Sequence, residues 1–328
     1  MAALPTTYGN LVDIAKSLDP DGTTADVVEM LKKEVPILEV MPFMAGNLET
    51  GHRHTVRTGL PEGTWRRLYE HVSPGKGQKV QVDDACGMLE AFTEVDEKLI
   101  DLAGAAGPAY RMDEDMAYAM GMGHQVAETI VYGNGNSSPA KFTGLAPRYN
   151  SLSAQNADNI IDAGGSGSDN TSIWILGFGK KRIHGIFPKN TKAGISMKDL
   201  GVETKSDANG ALLRVYRSQL KWDCGLVVAD WRYGVRICNI DVSDLKKDAA
   251  TGADLVDLIV DGIERLPSTD GAAIFCNRKI RSFIRRQMIN HKNVNLTMEQ
   301  LGGKKVMTCA ELPVYRLDSL VETEARVT

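Results

Sequence analysis

The sequence predicts an α+β fold in which a long-stranded antiparallel sheet is covered on one face by a long helix. Two observations carry this prediction. The first is the stretch 108–132: Pro108 suits a first helical turn, Asp113, Glu114 and Asp115 follow near the positive end of the helix dipole, and Gly133 closes it. Met112, Met116, Met120, Gly123, Ala127 and Ile130 recur every three or four residues and mark the face to be buried. About 24 residues at 1.5 Å each make a rod of about 36 Å. The second is a strict period of two in 219-QLKWDCGL-226 and 231-WRYGVRI-237, which predicts two half-buried strands paired with each other beneath that helix.

In chain order, residues 1–48 read as an arm. Thr24 or Asp26 caps a short helix over 27–33, and Pro36 and Pro42 punctuate an extended run, PILEVMPF. The stretch 63-GTWRRLYEHVSPGKGQKVQ-81 reads as a polar two-stranded finger broken at Ser73-Pro74-Gly75. An acidic connector over 81–105 leads into the long helix. Beyond it, YGNGNSSPAKFTGLAPRYNSL and DAGGSGSDN are turn-rich and suggest a domain transition. SIWILGF is a buried strand, and GIFPKNTKAGI is the exit of a second. The last third carries a helix (ADLVDLIVDGIERL), a buried strand (AAIFC) and a basic helix (RKIRSFIRRQMI) whose apolar face is Ile280, Phe283, Ile284 and Met288. In 306-VMTCAELPVYRLDSL-320 a Pro turn separates two strands.

Bulk properties exclude several classes. The 328 residues are 43% apolar and 24% charged, an ordinary globular balance, and a net charge of −4 argues against a general polyanion binder. The five cysteines are scattered without a CxxC pair, so no disulfide framework or zinc knuckle is suggested. The N-terminus lacks the pattern of a secretory signal, and no apolar run approaches the ~20 residues of a membrane span, which points to a soluble, non-secreted protein without membrane partners.

No chemistry-bearing motif stands out. His52-Arg-His54 places two imidazoles on one strand face, but no carboxylate or cysteine is spaced to complete a metal site. HExxH and GxSxG are absent, and GFGKKR at 177–182 lacks phosphate-loop spacing. The basic helix over 278–286 reads as a solvated or acid-paired face, or else as a phosphate contact without base readout. Charge comes in blocks. Seven acids stand against three lysines over 1–48; Arg53, Arg57, Arg66, Arg67, Lys76 and Lys79 dominate 49–80; and seven acids stand against Lys98 over 81–105. Such blocks mark either solvated faces or complementary contacts between segments or copies.

The order of these pieces resembles the major capsid protein of tailed bacteriophages, the Hong Kong 97-type fold. TWRRL, EVDEKLID, IVYGN, FTGLAPRY, IFPK, DWRYGVRICNID and LPVYRLDSLVETEA look like the set found in short-tailed phages. The resemblance implies an N-terminal arm at 1–48 and an extended loop at 49–82 that crosses a neighbouring subunit. It implies a peripheral domain at 83–137 and 196–245, an axial domain at 138–195 and 246–310, and a C-terminal strand at 311–328 returning to the peripheral domain. It further implies a structural, non-enzymatic protein without cofactor, assembling through pentamers and hexamers into an icosahedral shell around double-stranded DNA. That shell expands, with shifts of finger and arm, as DNA enters. Implied partners are scaffolding and portal proteins, a decoration (cement) protein in many cases, and packaged DNA through non-specific contacts; implied locations are the virion and, during assembly, the host cytoplasm. The arm begins almost at once, which favours a separate scaffolding protein over a cleaved leading segment. A non-viral nanocompartment of the same fold and an α/β enzyme with a fold-assembled site are the competing readings. The finger's basic residues Arg53, Arg57, Arg66, Arg67, Lys76 and Lys79, its Trp65 and Tyr69, and Ile37 and Phe43 of the arm are the candidates for the subunit interface, facing acidic segments of the next copy.

Overall fold

The computed structural model describes residues 35–206, 212–246, 252–290, 298–301 and 304–328; the helix predicted over 27–33 lies outside them. The chain runs α1 (Ile37–Val40), β1 (Phe43–Ala45), β2 (Gly51–Gly59), β3 (Gln78–Asp96), α2 (Glu97–Ala103), α3 (Gly107–Tyr132), β4 (Ile160–Asp162), β5 (Asn170–Gly177) and β6 (Ile183–Phe187). It continues with β7 (Ser196–Ser206), β8 (Leu212–Val228), β9 (Gly234–Asp241), α4 (Leu255–Glu264), β10 (Ala272–Cys276), α5 (Arg278–Asn290), β11 (Met298–Leu301), β12 (Lys304–Cys309) and β13 (Leu312–Arg316). The described residues form a smaller unit, 88–126 and 194–223, and a larger one, 35–87, 127–193 and 224–328.

In the smaller unit β7 and β8 pair antiparallel from Ser196 opposite Lys221 to Ser206 opposite Leu212, with a bulge between Asp199 and Gly201. Gly201 takes φ +75° there, which glycine adopts without steric cost, and its N–H donates to Asp199 Oδ1 at 2.8 Å. Arg111 of α3 donates to the same oxygen at 2.9 Å and to Ser218 Oγ at 3.0 Å, with its guanidinium 4.8 Å over the Tyr216 ring. The helix thus covers long strands, as predicted, and the second half of the predicted face, Gly123, Ala127 and Ile130, is buried, but the first half is not. Met112 and Met116 are 56% and 55% exposed, whereas Asp115 is buried and accepts a hydrogen bond from Thr93 of β3. Arg111 and Asp115, four residues apart, share one face of the helix. Those two polar anchors set its rotation and turn the first two methionines of the predicted stripe outward.

The acidic connector also finds its partners here. Glu94 accepts from Lys205 Nζ at 2.5 Å and from Arg217 Nε at 3.0 Å, and Arg217 also reaches Glu203 at 2.6 Å. Glu97 meets Arg214 at 3.2 Å and Glu90 meets Lys221 at 3.2 Å. These acids, expected to face the basic finger of another copy, pair with β7 and β8 of their own chain instead.

The larger unit holds a seven-stranded sheet in the order β11-β12-β13-β10-β5-β9-β4. Its central strands β5 and β9 are buried at every position, so they pack on both faces, and α4 and α5 supply Ile259, Ile263, Ile280, Ile284 and Met288 to the core. Gln287 of α5 is buried yet satisfied: its side chain accepts from Leu255 N and donates to the Lys246 and Ala253 carbonyls, tying α5 to the start of α4. The other strand set runs β1-β6-β8-β3-β2, with β7 on β8.

Three further expectations are corrected. The stretches 219–226 and 231–237 do not pair: the first is in β8, while the second opens with a one-turn helix at Trp231–Tyr233, capped by Asp230, and then enters β9 in the other sheet. Alternation identifies a strand but not the sheet it joins. The C-terminal strand does not return to the long strands, because β13 runs parallel to β10 in the seven-stranded sheet. The turn before it is Ala310-Glu311, both at positive φ, and Pro313 lies within β13 opposite Thr308.

Beyond β13 the chain is clasped to the larger unit. The carboxylate of Glu324 takes Arg236 Nη2 at 2.7 Å, Tyr132 Oη at 2.5 Å and the Ser172 hydroxyl. Arg236 also donates to Ser172 Oγ and to the Tyr149 carbonyl. Asn239 grips both backbone groups of Val327 at 2.8 and 2.9 Å. Arg236 and Glu324 are each about 5% exposed, so removing either strands a buried charge. Arg236→Met or Glu324→Gln is expected to destabilise the larger unit by about 3–5 kcal/mol, and Arg236→Met combined with Glu324→Leu by clearly less; urea unfolding of the three variants checks this.

Glu94 gives a prediction of opposite character. Burial raises its affinity for a proton, but the hydrogen bonds from Lys205 and Arg217 outweigh burial and hold the carboxyl below its ordinary value. A depressed acid stabilises the fold above its unfolded-state pKa and loses that contribution as pH falls through the folded value. The wild type is therefore expected to lose stability more steeply below about pH 4.5 than Glu94→Gln, as followed by acid titration of the unfolding midpoint.

Candidate subunit interface

The finger is a real hairpin, though its strands are not those predicted. β2 pairs antiparallel with the first part of β3, from Gly51 opposite Ala85 to Gly59 opposite Gln78, and residues 60–77 form the tip without strand structure. TWRRLYE falls in this tip. Its apolar residues have nothing opposite them, so the strand-like composition finds no ladder. A local turn forms instead: Arg67 N donates to Glu70 Oε2 at 2.8 Å, Glu70 N to the Arg67 carbonyl at 3.2 Å, and Tyr69 sits at φ +70°.

At its base the hairpin is firmly held. Asn47 accepts from Arg53 N and donates to the Arg53 carbonyl, both at 2.7 Å. At Gly51 a Cβ would lie 2.1 Å from the Asp84 carbonyl oxygen, so the two strands approach there as only glycine allows. Arg53 and Asp83, directly opposite in register, make a two-pronged pair at 2.6 Å.

Farther out the same face changes character. Arg57 stands directly opposite Lys79, and neither has an acidic partner among the described residues. Like charges directly opposite on a strand pair repel. Beyond them the tip carries Trp65 at 99% and Tyr69 at 95% exposure, with Leu60 and Leu68 also exposed. Lys76 is exposed and has no acidic partner among the described residues, while Arg66 donates to the Glu70 carbonyl at 3.4 Å. Cation and aromatic ring thus alternate over a surface that buries nothing of its own.

The sequence candidates therefore sort into two groups. Arg57, Trp65, Arg66, Arg67, Tyr69, Lys76 and Lys79 share the outer part of the finger. Arg53 is committed to Asp83. Ile37, 1% exposed in α1, lies in the chain's own core, and Phe43 of β1 packs its ring over Gly185 of β6. The extended arm run predicted around them is a short helix followed by a strand parallel to β6, and these two apolar side chains are taken up within the chain. The basic helix α5 is partly acid-paired: Lys279 meets Glu322 at 2.5 Å and Arg278 meets Asp318 at 3.7 Å, whereas Arg285 and Arg286 are exposed.

Sequence reasoning missed one cluster. His52 and His54 of β2 stack with ring centroids 6.3 Å apart, and His184 of β6 meets His52 edge-on at 6.0 Å. Asp84 is buried against them and accepts from Arg148 Nη2 at 2.7 Å. The His-Arg-His spacing announced two members; nothing in the sequence placed His184, 130 positions on, beside them.

Three kinds of comparison bear on this geometry. A family model described as major capsid protein GP7 matches residues 19–328. The solved structure of bacteriophage Epsilon15 is similar at 36% identity, covering 100% of both chains with a TM-score of 0.79. A Mycobacterium phage Bobi structure is 13% identical over 66% of this chain and 91% of that one, with a TM-score of 0.42. An encapsulin complex from Synechococcus elongatus is 10% identical over 70% and 94%, with a TM-score of 0.44. Among curated proteins none matches.

The Arg57–Lys79 repulsion is directly testable. Lys79→Glu converts it to an attractive cross-strand pair, and hydrogen exchange on the subunit is expected to show about two- to fivefold greater protection of the hairpin amides.

Proposed function

The chain belongs to the major capsid protein GP7 family, and from that premise we propose that its finger is the element by which one subunit grips the next. The role is structural: copies of the chain assemble into the capsid shell of a phage particle, with the α+β capsid fold. The nanocompartment and enzyme readings are not favoured.

The observation that supports the finger's part is its outer half, where exposed aromatics sit among cations without acidic partners. Magnitudes indicate which contact dominates. Burying Trp65 and Tyr69 removes about 300–500 Å² from water, about 8–12 kcal/mol gross at 25 cal/mol per Å². An exposed ion pair contributes about 0–1 kcal/mol. The rings therefore supply the adhesion. The charges choose its register by demanding an acidic, apolar surface and by repelling a basic one. Repetition around a closed shell multiplies contacts that are modest singly.

Finer organisation follows the resemblance. In this reading 49–82 is the extended loop, 83–137 and 196–245 make the peripheral domain, and 138–195 and 246–310 make the axial domain. Pentamers and hexamers close an icosahedral shell. Scaffolding, portal and decoration proteins and packaged double-stranded DNA are the partners, with Arg285 and Arg286 of α5 available for non-specific phosphate contact.

Arg66→Glu combined with Arg67→Glu is expected to leave the subunit folded and to abolish shells, scored by circular dichroism, sizing chromatography and negative-stain micrographs. Shells of normal number and size from this double variant would remove the finger from the interface.

A further inference from the structure

The finger's root concentrates buried polar atoms that the fold leaves unanswered. His52 Nδ1, His54 Nδ1 and Nε2, His184 Nδ1, Asp84 Oδ2 and Arg148 Nε are all buried without a hydrogen-bond partner among the described residues. Native folds leave only a few such atoms per hundred residues, and here six of the eleven found among the described residues gather on five side chains. They come from four segments: β2 (His52, His54), β3 (Asp84), the loop after α3 (Arg148) and β6 (His184). His54 Nδ1 and Asp84 Oδ2 stand 3.5 Å apart, beyond good hydrogen-bond geometry. Arg148 is locked in place by Asp84 and by the carbonyls of Thr143 and Leu226.

The position matters as much as the composition. These rings are the packing between β2, one leg of the finger, and β6, which belongs to the body of the larger unit. With His54 and His184 neutral the packing is apolar in character. One proton on His54 finds Asp84, but it also faces Arg148 and His52. A proton on His184 finds no carboxylate in contact, only a backbone hydrogen bond at Gly179 and the more distant Asp84; the His52 ring stands between, 6.3 Å from that of His54 and 6.0 Å from that of His184. The remaining charged groups near the cluster, Asp83 and Arg53, are already paired with each other.

We infer that the imidazole cluster of His52, His54 and His184 is a proton-operated hinge, which holds β2 against β6 while His54 and His184 are uncharged and releases the finger to re-aim when acidification charges them. Burial, the largest influence, lowers the proton affinity of both His54 and His184 from the ordinary 6.5, and His52 adds to the lowering at each; Asp84 opposes this at His54, as do a backbone hydrogen bond at Gly179 and Asp84 at His184. For a base depressed in the folded state, the stabilisation is complete above the ordinary imidazole range and is lost as pH falls below it. The hinge therefore opens on the acid side of neutrality. Its consequence for a shell rests on the bridging role proposed for the finger.

The test uses the full-length subunit and hydrogen exchange from pH 7.5 to 5.0, expressed as protection relative to the intrinsic rate at each pH. Wild type, His54→Gln, His184→Gln, the double variant and His71→Gln, an exposed histidine of the tip, are compared. In the wild type and His71→Gln, protection over residues 51–56 and 80–85 is expected to fall by about tenfold for each imidazole whose affinity is lowered by one pH unit, while β5 and β9 hold. Each single variant is expected to lose part of that fall and the double variant nearly all of it. No fall in the wild type, or a fall of equal size in every variant, overturns the hinge. Should the double variant not fold, as judged by β5 and β9, the single variants decide on the same criterion. Shells at both pH values form a separate arm. A subunit whose root loosens while its shells stay unchanged upholds the hinge and counts against the bridging role.

Discussion

A two-stranded ribbon has no interior. Each residue of β2 and β3 beyond the finger's root has a neighbour across the ladder and none above or below, and such hairpins are marginal in water unless something lies on a face. The molecule holds the inner end with Asn47, Gly51 and the Arg53–Asp83 pair. Past that point it offers a like-charge pair and two exposed aromatic rings. In the reading proposed here the remaining surface of the finger is completed by another copy of the chain, and association with identical copies is what a capsid subunit does.

The rest of the chain is organised as anchorage for that projection. Acidic and basic residues of the smaller unit satisfy one another across β3, β7 and β8, so its charges are largely internal. The larger unit closes on a buried ion pair between β9 and the segment after β13, with each remaining polar atom of the Glu324 carboxylate held by Tyr132, Ser172 or Arg236. At the finger's root, six of the eleven buried polar atoms without a partner among the described residues gather on five side chains, and that concentration is what the proposed hinge rests on.

Much of this was legible in the sequence wherever one segment's pattern sufficed. The buried run SIWILGF, the strand AAIFC and the amphipathic spacing of Ile280, Ile284 and Met288 report their own environment, and each is found where the pattern puts it. Failures arose where the decision lay with a distant partner. The period found the inner face of the long helix at Gly123, Ala127 and Ile130, but its first turns are set by Arg111 and Asp115, whose partners are Asp199 and Thr93, so Met112 and Met116 point outward. Alternation in 219–237 was genuine but spread over two sheets. The basic block of the finger was visible, whereas its true cross-strand register, and with it the conflict between Arg57 and Lys79, required the hairpin itself. His184 is the extreme case, because no local signal ties it to the finger.

The central claim is that the tip of the finger is buried only by another copy of the chain. Of the four tryptophans, Trp65 alone is fully exposed, while Trp174 and Trp222 are buried. Iodide quenching of tryptophan emission, compared between free subunits and closed shells with Trp65→Phe as the reference, reads that burial directly. The account predicts that assembly removes the quenchable component, leaving shells indistinguishable from Trp65→Phe subunits. Emission in closed shells quenched as readily as in free subunits would contradict it.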